Sequence, residues 1–152
     1  MSISVHIIFM GALLILASYQ DIKTGKIKNQ LNGSFALLGV ALFLFEHGFS
    51  DETWVYLKEI GLIFMLCLLF FFLRFISGGD GKLFIAISTL MGFRFTIGVF
   101  TYSIILGAIV EIGLYILKKK DRKVHKKIKF APFILLSAIF EIVYPLLSLL
   151  NL

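Results

Sequence analysis

Cysteine is almost absent. Cys67 stands alone in 152 residues, which leaves no internal disulfide and no cysteine-ligated zinc site. Its place inside an apolar segment predicts a small packed hydrophobe. Also missing is any Lys or Arg ahead of the first apolar run, Ile3 to Tyr19. Without that charged region the segment reads as a retained helix and not as a cleaved secretory signal. His6, His47 and His125 lack ligand-like spacing, so no metal site is expected. No repeat, low-complexity tract or soluble domain is visible, and residues 1–152 read as a single transmembrane domain.

What is abundant is apolar surface. Hydrophobic side chains make up 59% of the chain and the mean hydropathy is +0.98, against ~45–50% apolar residues in ordinary soluble domains. A bilayer span needs about 20 mostly apolar residues. Candidate spans are Ile3 to Tyr19, Leu31 to Phe45, Trp54 to Phe75, Lys82 to Phe93, Thr96 to Leu117 and Ala131 to Leu150, the second and fourth being short. The fold class expected is all-α: a polytopic membrane bundle of about six transmembrane helices.

Charge placement orients that bundle. Of 15 Lys and Arg residues, Lys23, Lys26 and Lys28 follow the first segment, Arg74 and Lys82 flank the third connection, and eight lie from Lys118 to Lys129. These are alternate connections, and the positive-inside rule puts them in the cytoplasm, with both termini external; the location expected is the cell's inner (plasma) membrane. The basic run from Lys118 accounts for nearly all of the net charge of +6. It reads as a juxtamembrane loop touching anionic lipid, and no nucleic-acid partner is expected.

Two constellations carry chemistry. The first follows the first apolar run: Asp21-Ile22-Lys23-Thr24-Gly25-Lys26-Ile27-Lys28-Asn29. The second is Ser77-Gly78-Gly79-Asp80-Gly81-Lys82, between two apolar stretches. An ionisable group at a membrane boundary needs a partner or a task. Taken alone, Asp21 could be a loop residue paired with Lys23 or Lys26, and Asp80 could be the N-cap of the next helix, with Gly78, Gly79 and Gly81 permitting positive φ and close approach of another chain. The topology, however, brings both carboxylates to one membrane face. Two neighbouring aspartates share a proton. The ionised member can then activate water against a peptide carbonyl while the protonated member donates to the carbonyl oxygen and the leaving nitrogen, with no metal or cofactor.

These residues resemble the motifs of the type IV prepilin peptidases, including the short forms that cleave preflagellins. The first family motif, Asp with a following basic residue and Ile-Pro-Asn, is similar to Asp21, Lys23, Ile27, Lys28 and Asn29. The second, Gly-x-Gly-Asp followed by a hydrophobic residue, Lys and Leu, is similar to Ser77 through Leu83. A third similarity links the opening of the family's last helix to Lys129-Phe130-Ala131-Pro132-Phe133. The resemblance implies an aspartyl endopeptidase with Asp21 and Asp80 catalytic. Ser77, Gly78, Gly79, Gly81, Lys82 and Asn29 would shape the loop or bind substrate. It implies a prepilin-like substrate with a short basic leader ending in Gly before a hydrophobic helix, cut at the cytoplasmic face. The paired-cysteine domain associated with N-methylation is missing, so no methyltransferase activity is expected. Three positions depart from the motifs: Ser77 for glycine, Lys28 for proline and Gly81 for a hydrophobic residue. Restoring the motif with Ser77→Gly is expected to retain or raise activity.

Glu111 and Glu141 fall inside the fifth and sixth segments, where interhelical hydrogen bonding is the expected role. They keep a small transporter or channel open as an alternative. A catalytically idle assembly factor on the same scaffold is another.

Overall fold

A computed structural model describes residues 3–117 and 129–149. All regular structure among them is helical: α1 Ile3–Thr24, α2 Asn29–His47, α3 Asp51–Phe72, α4 Gly78–Leu117 and α5 Ala131–Leu149. The basic residues from Lys118 to Lys127, with Asp121 and His125, lie outside the described residues. Three stretches are long and apolar enough to cross a bilayer: Val5–Thr24, Asp51–Phe72 and Gly78–Gly113.

The fourth and fifth expected segments form one element, α4, broken at Gly92 with φ 80° and ψ 176°. That backbone conformation is open to glycine and closed to most other residues. The break reverses the chain. Phe84 and Phe100 meet edge to face with ring centroids 4.8 Å apart, whereas on a straight helix their positions would be separated by about 24 Å. The reversal needs no loop, and it falls at Gly92, just before the boundary expected between Phe93 and Thr96. The first arm, Gly78 to Met91, rises only about 21 Å, less than the ~30 Å hydrocarbon thickness.

Helix α4 packs against all four other helices. Its first arm supplies Leu83, Phe84, Ala86, Ile87 and Leu90 to a core shared with Met10, Leu13, Leu14 and Ala17 of α1, Ile63 and Cys67 of α3, and Ala131, Ile134 and Ala138 of α5. Cys67 is buried there, as its setting predicted. Close approach depends on small residues. A Cβ on Gly39 of α2 would lie 2.6 Å from the backbone carbonyl of Thr89, the same carbonyl that accepts the Tyr56 hydroxyl of α3 at 2.8 Å. Trp54, Leu62, Met65 and Phe72 of α3 are exposed, as a lipid-facing surface requires.

Helix α3 stops at Phe72, short of the expected Phe75. Arg74 takes the left-handed conformation (φ 63°), its amide donates to the Phe71 carbonyl and that of Phe75 to Phe70. These are the two bonds of a Schellman ending, and the Phe70 and Phe75 rings supply its hydrophobic contact at 5.9 Å.

Candidate active site

Asp21 lies within the last turn of α1, which continues past the apolar run ending at Tyr19 to Thr24. Its carbonyl accepts the Gly25 amide at 2.9 Å, with Gly25 at φ 68°, which ends the helix and turns the chain. Gln20 Oε1 accepts the Lys28 amide at 3.0 Å and closes the turn. The Asp21 side chain is 7% exposed, and its Oδ2 accepts the Ala131 amide of α5 at 3.2 Å. Ala131 opens α5, with Pro132 in the first turn, where a missing N–H does no harm. The carboxylate therefore meets the positive end of the α5 dipole. Lys129, just before α5, donates to the Ile22 carbonyl.

Asp80 is not the N-cap that the sequence suggested. Ser77 caps α4 and Asp80 sits at the third helical position, in a reciprocal capping box. The Ser77 amide donates to Asp80 Oδ2 at 3.1 Å, the Ser77 hydroxyl donates to the same oxygen at 2.6 Å, and the Asp80 amide donates to Ser77 Oγ at 3.4 Å. Asp80 is 6% exposed.

Gly78, Gly79 and Gly81 have no positive φ, because all three belong to the first turn of α4. A Cβ at any of the three would meet its neighbours at ordinary contact distance. A Cβ on Gly79 would touch Ile27 at 3.7 Å, and one on Gly81 would touch the Cβ of Cys67 at 3.5 Å. Gly81, where the family motif has a hydrophobic residue, thus faces α3 closely.

The two motif loops are joined. Lys82 Nζ donates to Asn29 Oδ1 at 2.9 Å, Asn32 Nδ2 donates to the Gly79 carbonyl at 3.0 Å, and Ile27 packs against Gly79. Ala131 brings the third similar stretch to the same end. Sequence reasoning gave no role to Gln20, Asn32 or the Ala131 amide. A lone asparagine early in an apolar run was a usable signal; a backbone donor offers none.

A cavity of about 400 Å³ opens at the other end of the bundle, lined by His6, Glu46, Glu52, Tyr56, Thr89 and Gly92 among others. It is remote from both aspartates. Glu111 is exposed, and Glu141 of α5 lies against Gly98 of α4, where a Cβ would come within 2.5 Å of its carboxylate. Glycine at position 98 makes room for that acid.

No curated protein and no solved structure matches the chain. The pattern of the type IV leader peptidase family matches residues 8–112, a stretch that includes Asp21, Asp80, the first arm of α4 and most of the second. Since that match covers well over half of the sequence and contains both motif loops, the chain belongs to the type IV leader peptidase family.

Proposed function

We propose that the protein is a membrane aspartyl endopeptidase that removes the leader of prepilin-like substrates at the cytoplasmic face of the plasma membrane, using Asp21 and Asp80. The reading is supported by two buried aspartates, on α1 and α4, in motif segments joined at one end of the bundle, where Asn32 donates to the Gly79 carbonyl and Lys82 donates to Asn29. In the cycle, the ionised aspartate takes a proton from water as the oxygen attacks the scissile carbonyl. The protonated aspartate donates its proton to the carbonyl oxygen; as the C–N bond breaks, the aspartate that took the water proton passes it to the departing amine and the other recovers a proton from the gem-diol hydroxyl. The short first arm of α4 suits a substrate whose hydrophobic helix lies in the bilayer and whose polar leader stays outside it. Methyl transfer is not part of the proposed activity.

The test is cleavage of a membrane-inserted peptide bearing a basic, Gly-ended leader before an apolar helix. Asp21→Asn and Asp80→Asn each abolish cleavage while the proteins fold, because each removes one half of the acid–base pair. Asp51→Asn, on the exposed first turn of α3, leaves the rate unchanged. Parental activity in either of the first two variants rules out the dyad.

A further inference from the structure

Asp80 receives more support than its place in a helix requires. The Ser77 amide bond to Oδ2 would exist with any residue at position 77, but the 2.6 Å hydroxyl bond and the return bond from the Asp80 amide belong to the serine side chain. One hydroxyl can fill both roles, since it carries a donor and acceptor lone pairs. A contact of that length falls in the range of bonds to a charged oxygen. The motif that residues 77–80 resemble has glycine in the first position, and glycine has no atom to make either contact.

We propose that Ser77 is a positioning residue for leader cleavage, its hydroxyl fixing the Asp80 carboxylate in the orientation in which it acts on the attacking water or the scissile carbonyl. The inference rests on the peptidase reading above. It reverses the expectation from the motif alone: in this chain Ser77→Gly removes a constraint on the acting group. Asp80 sits one turn into α4, and without the hydroxyl its Oδ2 loses its 2.6 Å contact and keeps the bond from the residue 77 amide, so the carboxylate is held less tightly. A displacement of about 1 Å at a reacting group can lower a rate ~100-fold.

Glycine makes the decisive variant because it caps helices nearly as well as serine, so the fold is retained while the hydroxyl is lost. Steady-state cleavage of the leader peptide by the detergent-solubilised parent, Ser77→Gly, Ser77→Thr and Asp80→Asn proteins, with a melting curve for each, separates the outcomes. The expected result is that Ser77→Gly lowers kcat by about tenfold or more, with KM and melting temperature near the parent's. Ser77→Thr, which keeps a hydroxyl, recovers most of kcat. Parental kcat in Ser77→Gly beside an inactive Asp80→Asn overturns the positioning role and leaves the peptidase reading intact. An equal loss in the glycine and threonine variants also overturns it. A parent that does not cleave removes the peptidase reading, and this inference falls with it.

Discussion

Asn32 of α2 donates from Nδ2 to the carbonyl of Gly79, the residue beside Asp80, at 3.0 Å. The side chain is buried at 2% exposure, so this bond forms away from bulk water and links two helix N-terminal regions. Removing one partner of such a bond costs about 1–3 kcal/mol, because the other is left unsatisfied. Asn32→Ala should lower stability by that order and reduce leader cleavage by loosening the first turn of α4. Unfolding in detergent and steady-state cleavage check both. No change in either would show the bond to be idle.

Gly39 and Thr89 set the closest approach of α2 and α4. A Cβ at position 39 would lie 2.6 Å from the Thr89 carbonyl carbon and oxygen, which are backbone atoms unable to swing aside. The Tyr56 hydroxyl holds that carbonyl from the α3 side. Gly39→Ala should therefore destabilise the fold by about 1–3 kcal/mol, the usual range for overpacking. Gly61→Ala, where a Cβ meets nothing within 4 Å, is the control. Equal melting temperatures for the two variants would contradict the packing argument.

Arg74 occupies a left-handed position that favours glycine. The conformation costs a side-chain-bearing residue roughly 1–2 kcal/mol, and the Schellman bonds at its flanks do not need the guanidinium. Arg74→Gly should raise stability by about 1 kcal/mol, less what the more flexible unfolded chain takes back. Thermal unfolding reads the difference. A lower melting temperature would mean that the exposed Arg74 side chain makes a stabilising contact of its own.

Topology rests on alternating loop charge and is open to direct labelling. Thr24 lies at the end of the bundle that carries the aspartates, and Ser50 caps α3 at the opposite end. In a Cys67→Ser background, an impermeant thiol reagent should modify a Ser50→Cys variant in intact cells and leave Thr24→Cys untouched until the cells are opened. Modification of Thr24→Cys in intact cells would invert the orientation.

Much of the architecture was legible because it depends on contiguous residues. Apolar length predicted helices, and loop charge separated the two ends of the bundle. Motif spacing marked Asp21 and Asp80. Each of these is a sum over neighbours in the chain, which hydropathy and charge report without knowledge of the fold. The same local reading expected a loop before α4 because glycines cluster there, and it missed that Ser77 and Asp80 form a capping box that starts the helix at Gly78.

Composition and motif spacing alone mark an apolar helical protein with two acidic motifs, each beside a different connection. What holds those acids follows from helix packing. The Ala131 amide on Asp21 is a backbone donor that any residue but proline would supply, so side-chain identity could not announce it. Asn32 reaches Gly79, and Lys82 reaches Asn29, across long stretches of chain that only helix packing brings together. The fold-back at Gly92 turns on one positive φ, which glycine permits at many positions and the surrounding helices select at this one.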